Sequence, residues 1–240
     1  MPADEPNPPA LTALGDTGIL FADLSGYTQL VYQCVGDEER LQRLGLAMAR
    51  LFNTADNAHP DVTVEGYAGD GFLALSTGKR PAKAIYDFAM AVHERFDSDV
   101  RSLLLNLGFR VSVSLRTGMH VGKVWRMPTP SAGLTGKLRL EPEQDEDLDA
   151  RPDVMGHDHP LREPGLNISD AIVVASRVVT GQTSRRFGMG LTRTCYKRLL
   201  LAGGKDIREP DEVIQDRNQY PEPVEVYRLL PEEHQKIKGR

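Results

Sequence analysis

Two acids stand in unusual company. Residues 19–28 read Ile-Leu-Phe-Ala-Asp-Leu-Ser-Gly-Tyr-Thr, and residues 65–74 read Glu-Gly-Tyr-Ala-Gly-Asp-Gly-Phe-Leu-Ala. Each segment sets one aspartate in a short apolar run beside a glycine turn. A carboxylate among apolar neighbours is costly unless it is paired or holds a metal. If the two strand-like segments that carry them are neighbours in a sheet, Asp23 and Asp70 would meet at one hard divalent cation, Mg²⁺ or Mn²⁺, which keeps positions open for phosphate oxygens. The backbone after Asp23 (Leu24, Ser25, Gly26, Tyr27, Thr28) turns into a helix start whose N–H groups suit a phosphate, and Gly69 supplies the turn next to the second acid. Cation and N–H cradle together describe a nucleoside triphosphate site, in which the cation offsets charge developing during phosphoryl transfer. Each acid alone also has a plainer reading, Asp23 as a turn or cap residue and Asp70-Gly71 as an ordinary hairpin pair. Their conjunction is what points to chemistry.

The elements that must position these acids follow from periodicity. Residues 18–24 form a short apolar run closed by Ser25-Gly26, a buried strand. Leu41, Leu44, Met48, Leu51 and Phe52 recur at helical spacing over 38–57, and Asp37 can cap that helix. Residues 61–67 and 71–76 read as a hairpin with Asp70 at its tip. The stretch 81–105 opens on Pro81, suited to a first helical turn, and puts Ile85, Phe88, Ala89, Val92 and Phe96 on one face. Residues 109–116 alternate as the cleanest strand in the chain, and Met119–Trp125 continues the sheet. Residues 127–166, rich in proline and carrying the acid run 141–149, read as a long surface insertion. A helix follows over 171–180, capped by Ser169 or Asp170, then a strand at 188–193, a short helix at 194–201 and a closing strand at 224–230. This order predicts an α+β fold, one sheet with helices packed on it, over residues 18–230, with a flexible tail at 1–17 and a tail at 231–240.

Composition bounds the rest. The 240 residues are 40% hydrophobic and 26% charged, enough apolar content for one core. The formal net charge of −5 argues against a nucleic-acid surface. Cys34 and Cys195 form no CxxC pair, so neither a zinc site nor a disulfide framework is expected. No apolar run is long enough to span a bilayer, and the proline-rich acidic N-terminus is unlike a signal peptide, so a cytoplasmic protein without a membrane partner is expected. There is no P-loop, GxSxG elbow or HExxH. His120, in a glycine-flanked strand, reads as structural, and His157 and His159 as solvated loop residues.

At these motifs the chain resembles the class III nucleotide cyclases, the adenylate and guanylate cyclase catalytic domains. Phe-Ala-Asp-Leu-Ser-Gly-Tyr-Thr matches the family's first metal-aspartate motif and Gly-Asp-Gly-Phe-Leu-Ala its second. Arg116-Thr-Gly-Met-His-Val-Gly matches its central strand, Ala175-Ser176-Arg177 the helix that carries a transition-state arginine, and Val-Tyr-Arg-Leu-Leu its last strand. The resemblance implies a ferredoxin-like core that works as a homodimer. One subunit would supply Asp23, Asp70 and the Leu24 carbonyl to two Mg²⁺ or Mn²⁺ ions, and the other would supply Arg177. The reaction implied is attack of the ribose 3′-hydroxyl on the α-phosphorus, with pyrophosphate leaving.

The departures from the family pattern fall on the base pocket. Where purine cyclases carry their two base-selecting residues this chain has Gly66 and Leu166, where they carry an asparagine it has Val173, and no C-terminal triphosphate lysine is evident. The metal-binding half matches and the purine-reading half does not. Tyr67 and Asn167 are the residues expected near an altered base. In size and in lacking a recognisable sensor domain the chain is similar to the pyrimidine cyclases of bacterial anti-phage (Pycsar-type) signalling, which implies UTP or CTP as substrate and a downstream effector that binds the cyclic nucleotide. A purine cyclase, or a degenerate domain that binds a nucleotide or a partner without turnover, is the alternative.

Overall fold

The computed structural model describes residues 11–128, 165–200, 207–215 and 222–239. A long strand, β1 (Thr12–Ser25), leads through two helices, α1 (Tyr27–Tyr32) and α2 (Glu38–Asp56), to the hairpin β2 (Thr63–Ala68) and β3 (Gly71–Ser76). Helix α3 (Pro81–Arg95) continues through a wider π turn at Phe96–Val100 into α4 (Arg101–Asn106). Then come β4 (Ser114–Pro128), β5 (Gly165–Ile168), α5 (Asp170–Thr180), α6 (Gln182–Phe187), β6 (Met189–Thr192), α7 (Arg193–Leu200), β7 (Glu212–Ile214), β8 (Val224–Tyr227) and α8 (Pro231–Lys238). Among the described residues eight strands join one sheet in the order β2-β3-β1-β4-β6-β8-β7, with β5 paired to the far end of β4. The α+β arrangement is the one expected.

The sheet is dressed unequally. In β1, Leu20, Ala22 and Leu24 point into the large core built with α1, α2, α3, α4, α7 and α8. Helix α2 joins it through Leu44, Met48 and Leu51, and Asp37 caps the helix by accepting the Arg40 N–H at 2.9 Å. Each fully buried leucine or phenylalanine there contributes about 2 kcal/mol of transfer free energy. Ile19, on the alternate face of β1, packs with Leu75, Val124, Ala171 and Ala175 under α5. Helix α5 lies so close to β4 that a Cβ on Gly118 would stand 2.5 Å from the Ala175 carbonyl oxygen. Since Gly118 pairs with Phe21 and Arg116 with Asp23, α5 shares a sheet face with Asp23.

Several expectations are corrected. The N-terminal tail does not reach residue 17, because Thr12–Thr17 are strand, paired with Gly122–Arg126. The alternation over 109–116 becomes ladder only from Ser114: β1 turns into α1 at Gly26, so residues 109–113 have no strand to pair with although Phe109 and Val113 are buried. Met127 and Pro128 extend β4, and Gly165 and Leu166 belong to β5, so strand consumes both ends of the expected insertion. Residues 129–164, with the acid run, His157 and His159, lie outside the described residues. The closing residues are not a tail either. Helix α8 buries Ile237, and its Glu233 accepts a hydrogen bond from the Tyr196 hydroxyl.

Candidate active site

The two acids converge. β1 and β3 run antiparallel with Ala22 opposite Phe72, which brings the residue after Ala22 level with the tip of the β2–β3 hairpin. Ala68 pairs with Gly71, leaving the two-residue loop Gly69-Asp70, and Gly69 takes φ 63°, a backbone conformation that glycine adopts without steric cost. Gly71 is needed for a different reason. A Cβ there would sit 2.4 Å from the Ala22 carbonyl oxygen, and the Asp23 Cα lies just beyond it. The motif Gly69-Asp70-Gly71 thus lets one strand press its turn against the other at Asp23.

Asp70 lies close enough to the Asp23 carboxyl and to the Leu24 backbone N–H for both to act on its proton affinity. Partial burial, and then the charge of Asp23, push its carboxyl above the usual range. A carboxyl whose proton affinity is raised by a neighbouring carboxylate is one that a dication would relieve. Among the described residues no cluster of three or more His, Cys, Asp or Glu exists. A two-carboxylate set with an adjacent backbone carbonyl, that of Leu24, fits Mg²⁺ or Mn²⁺, whose other positions go to water and phosphate oxygens, and does not fit a structural zinc.

Beyond the acids, Ser25 ends β1 and Gly26, at φ 90°, opens α1; its carbonyl accepts the N–H of Gln29 and of Leu30, both at 3.1 Å. The first-turn N–H groups of Tyr27 and Thr28 lie ahead of these bonds, where a helix leaves donors for an anion. Arg177 is half-buried near the end of α5. The Tyr67 backbone pairs with Phe72 in β2–β3.

Two charged side chains join the picture that motif reading did not assign a role. Arg116 lies directly opposite Asp23 on β4, and its Nη2 donates to Asp23 Oδ2. Arg126 forms a buried cluster with Glu65 and Asn167. Its Nη1 donates to Glu65 Oε2 at 2.9 Å and to Asn167 Oδ1 at 3.2 Å, while Asn167 Nδ2 donates to the same Glu65 oxygen at 3.0 Å. Glu65 comes to this position through a register shift between Val64 and Gly66. A charged residue inside an alternating strand was the available signal for both arginines; their partners depend on register and could not be read.

Arg116 lies opposite Asp23, and Arg126, ten residues further along β4, pairs with Asn167. Glu65, five residues before Asp70 on the hairpin, links that cluster to the acid-bearing turn.

No protein-family model matches this chain, and no curated protein matches it in sequence. Solved structures do match in fold. The adenylyl cyclase CyaB from P. aeruginosa superposes with a TM-score of 0.62 at 14% identity, over 91% of this chain and 94% of that one. The guanylyl cyclase Cya2 superposes with a TM-score of 0.62 at 14% identity, over 92% and 93%. The guanylate cyclase domain of RhGC from Catenaria anguillulae, in complex with GTP, superposes with a TM-score of 0.55 at 13% identity, over 90% and 96%. The chain thus has the fold of the class III nucleotide cyclase catalytic domain.

Proposed function

We propose that this chain is a nucleotide cyclase that converts a nucleoside triphosphate to its 3′,5′-cyclic monophosphate and pyrophosphate at the interface of a homodimer. The observation that carries the reading is the convergence of Asp23 and Asp70, from separate strands, on one point beside the start of α1. Bound there, two Mg²⁺ or Mn²⁺ ions would lower the proton affinity of the ribose 3′-hydroxyl and offset the charge of the triphosphate. Asp23, Asp70 and the Leu24 carbonyl hold that position, and the backbone N–H groups from Ser25 to Thr28, with Gly69 across the turn, orient the phosphates. Arg177 of the partner stabilises the charge that grows on the α-phosphate as the 3′-oxygen bonds to phosphorus and the bond to the bridging oxygen breaks. The hydroxyl proton leaves to solvent.

A second copy is part of this reading because the resemblance to the cyclase family has one subunit supply the acids and the other the arginine. In the partner, Asn167 lies in β5 just ahead of α5 and Arg177 seven residues into that helix, about 10 Å of rise, so one nucleotide can touch both. The face that α5 only partly covers offers the contact surface: Phe21 and Leu73 are half-buried there and Val173 is exposed.

The base end supports a pyrimidine, UTP or CTP. Gly66 offers no side chain to a purine edge, and the residue before it, Glu65, is held in a hydrogen-bonded cluster with Arg126 and Asn167. The Glu65 Oε1 oxygen is buried with no partner among the described residues, an acceptor that a base N–H would satisfy. The product would be a messenger for a cyclic-nucleotide-binding effector; antiviral signalling rests on the sequence resemblance alone. One observation favours a second reading, a domain that binds nucleotide without turnover: exposed Val173 offers no hydrogen bond where the family has asparagine. The test offers ATP, GTP, CTP and UTP together with Mn²⁺ and identifies products by mass spectrometry. A cyclic pyrimidine monophosphate with pyrophosphate is expected. A cyclic purine product would overturn the base assignment, and no product from any of the four would favour the binding domain.

A further inference from the structure

We propose that Arg116 is a built-in counterion that sets how tightly the acid pair takes a divalent cation. The proposal rests on the reading of Asp23 and Asp70 as the cation site. Asp23 and Arg116 are register partners on adjacent strands, so their side chains leave the same face of the sheet side by side. The contact is made through one guanidinium nitrogen to one carboxylate oxygen, Nη2 to Oδ2. It is shielded, with the side chains 17% and 28% exposed, so salt and water weaken it less than a surface pair.

The geometry is not that of a settled structural ion pair. Such arginines engage a carboxylate with two parallel N–H bonds and satisfy the rest of the fork elsewhere. Arg116 Nε is buried and has no partner among the described residues. The fork is half used, and the oxygen it holds is one of the few ligand atoms the site possesses. A cation held by Asp23 has to compete with a permanent positive charge for that oxygen or lie next to it, and both lower its affinity. Without Arg116, Asp23 and Asp70 would face one another with their mutual repulsion unrelieved, the condition under which carboxylates draw a dication most strongly. The arginine thereby keeps the two acids compatible with a folded turn at the expense of affinity for metal.

The test is a titration of the full chain with Mn²⁺ alone, without nucleotide, following the electron paramagnetic resonance signal of free Mn²⁺. Arg116→Gln removes the charge and keeps a hydrogen-bonding end; it should bind Mn²⁺ at least tenfold more tightly than the parent. Arg116→Lys keeps the charge and should stay within about threefold of the parent. Arg116→Met, a second neutral variant, carries the same expectation as the glutamine should that one fail to fold. Asp23→Asn should abolish Mn²⁺ binding with Arg116 or Gln at position 116. Equal or weaker Mn²⁺ binding in folded neutral variants would overturn the counterion role while leaving the site in place. Undiminished binding in Asp23→Asn would instead remove the site itself, and the proposal with it.

Discussion

Asp23 and Asp70 come from two different strands to stand close enough that the charge of Asp23 raises the proton affinity of the Asp70 carboxyl. What makes this approach possible is the bare Cα of Gly71, since any side chain there would collide with the Ala22 carbonyl 2.4 Å from its Cβ. Gly71→Ala should therefore cost about 1–3 kcal/mol of stability, the usual range for overpacking. Catalysis should suffer more, by about 100-fold, because a misplacement of an ångström separates the acids. Urea denaturation and steady-state rates measured on the same preparation check both numbers.

The cluster of Glu65, Arg126 and Asn167 separates stability from base choice. Glu65→Ala leaves Arg126, only 8% exposed, without its carboxylate, and should destabilise the fold by about 3–5 kcal/mol. Asn167→Ala removes a hydrogen-bonding partner rather than a charge and should cost about 1 kcal/mol. Its larger effect should be on the ratio of kcat/KM between nucleotides of different base, measured by competition. An unchanged ratio would take Asn167 out of the base pocket.

Acid stability should report two half-buried histidines. Burial holds His93 and His120 down to about 4 from an ordinary value of 6.5; His93 hydrogen-bonds Thr117 Oγ1 at 3.1 Å and His120 bonds Thr192 Oγ1 at 2.8 Å. Between those values the unfolded chain binds protons that the folded chain refuses, so stability is full above about pH 6.5 and falls as the pH drops toward 4. Each histidine accounts for up to about 3 kcal/mol of that loss. Chemical denaturation across this range should show the slope, and His93→Gln should flatten it.

Much of this site was legible from local pattern, and the remainder depends on register. The acids are readable because each motif carries its own turn: Gly26 after one, Gly69 and Gly71 around the other. Helix α2 is readable from its apolar spacing and Asp37 cap. Arg116 was visible only as a charge in an alternating strand, since its contact with Asp23 depends on which residues of β1 and β4 face each other. Glu65 was hidden because a shift of one residue carries it into the cluster where the motif's own spacing points to Gly66. Residues 109–113 misled in the opposite direction: burial alternates there as in a strand, yet no partner strand reaches them. Helix α8 is largely polar and shows its role only through buried Ile237 and Glu233.

A composite site between two chains has a distinctive signature. Chains carrying Asp70→Ala and chains carrying Arg177→Ala should each be inactive alone. Mixed and allowed to exchange, they should recover roughly a quarter of the parent activity, the statistical share of intact sites in a two-fold dimer. No recovery, with mixed dimers demonstrated by native mass spectrometry, would place Arg177 and the acids of one chain in the same site.

The central claim is that the two converging carboxylates hold the cation used in ring closure. Its most direct test is the rate of pyrophosphate release with Mn²⁺ by the parent, Asp23→Asn and Asp70→Asn, with thermal unfolding recorded for each. The account predicts a loss of at least about 1,000-fold in both variants with the fold retained. Turnover unchanged in either folded variant would contradict it.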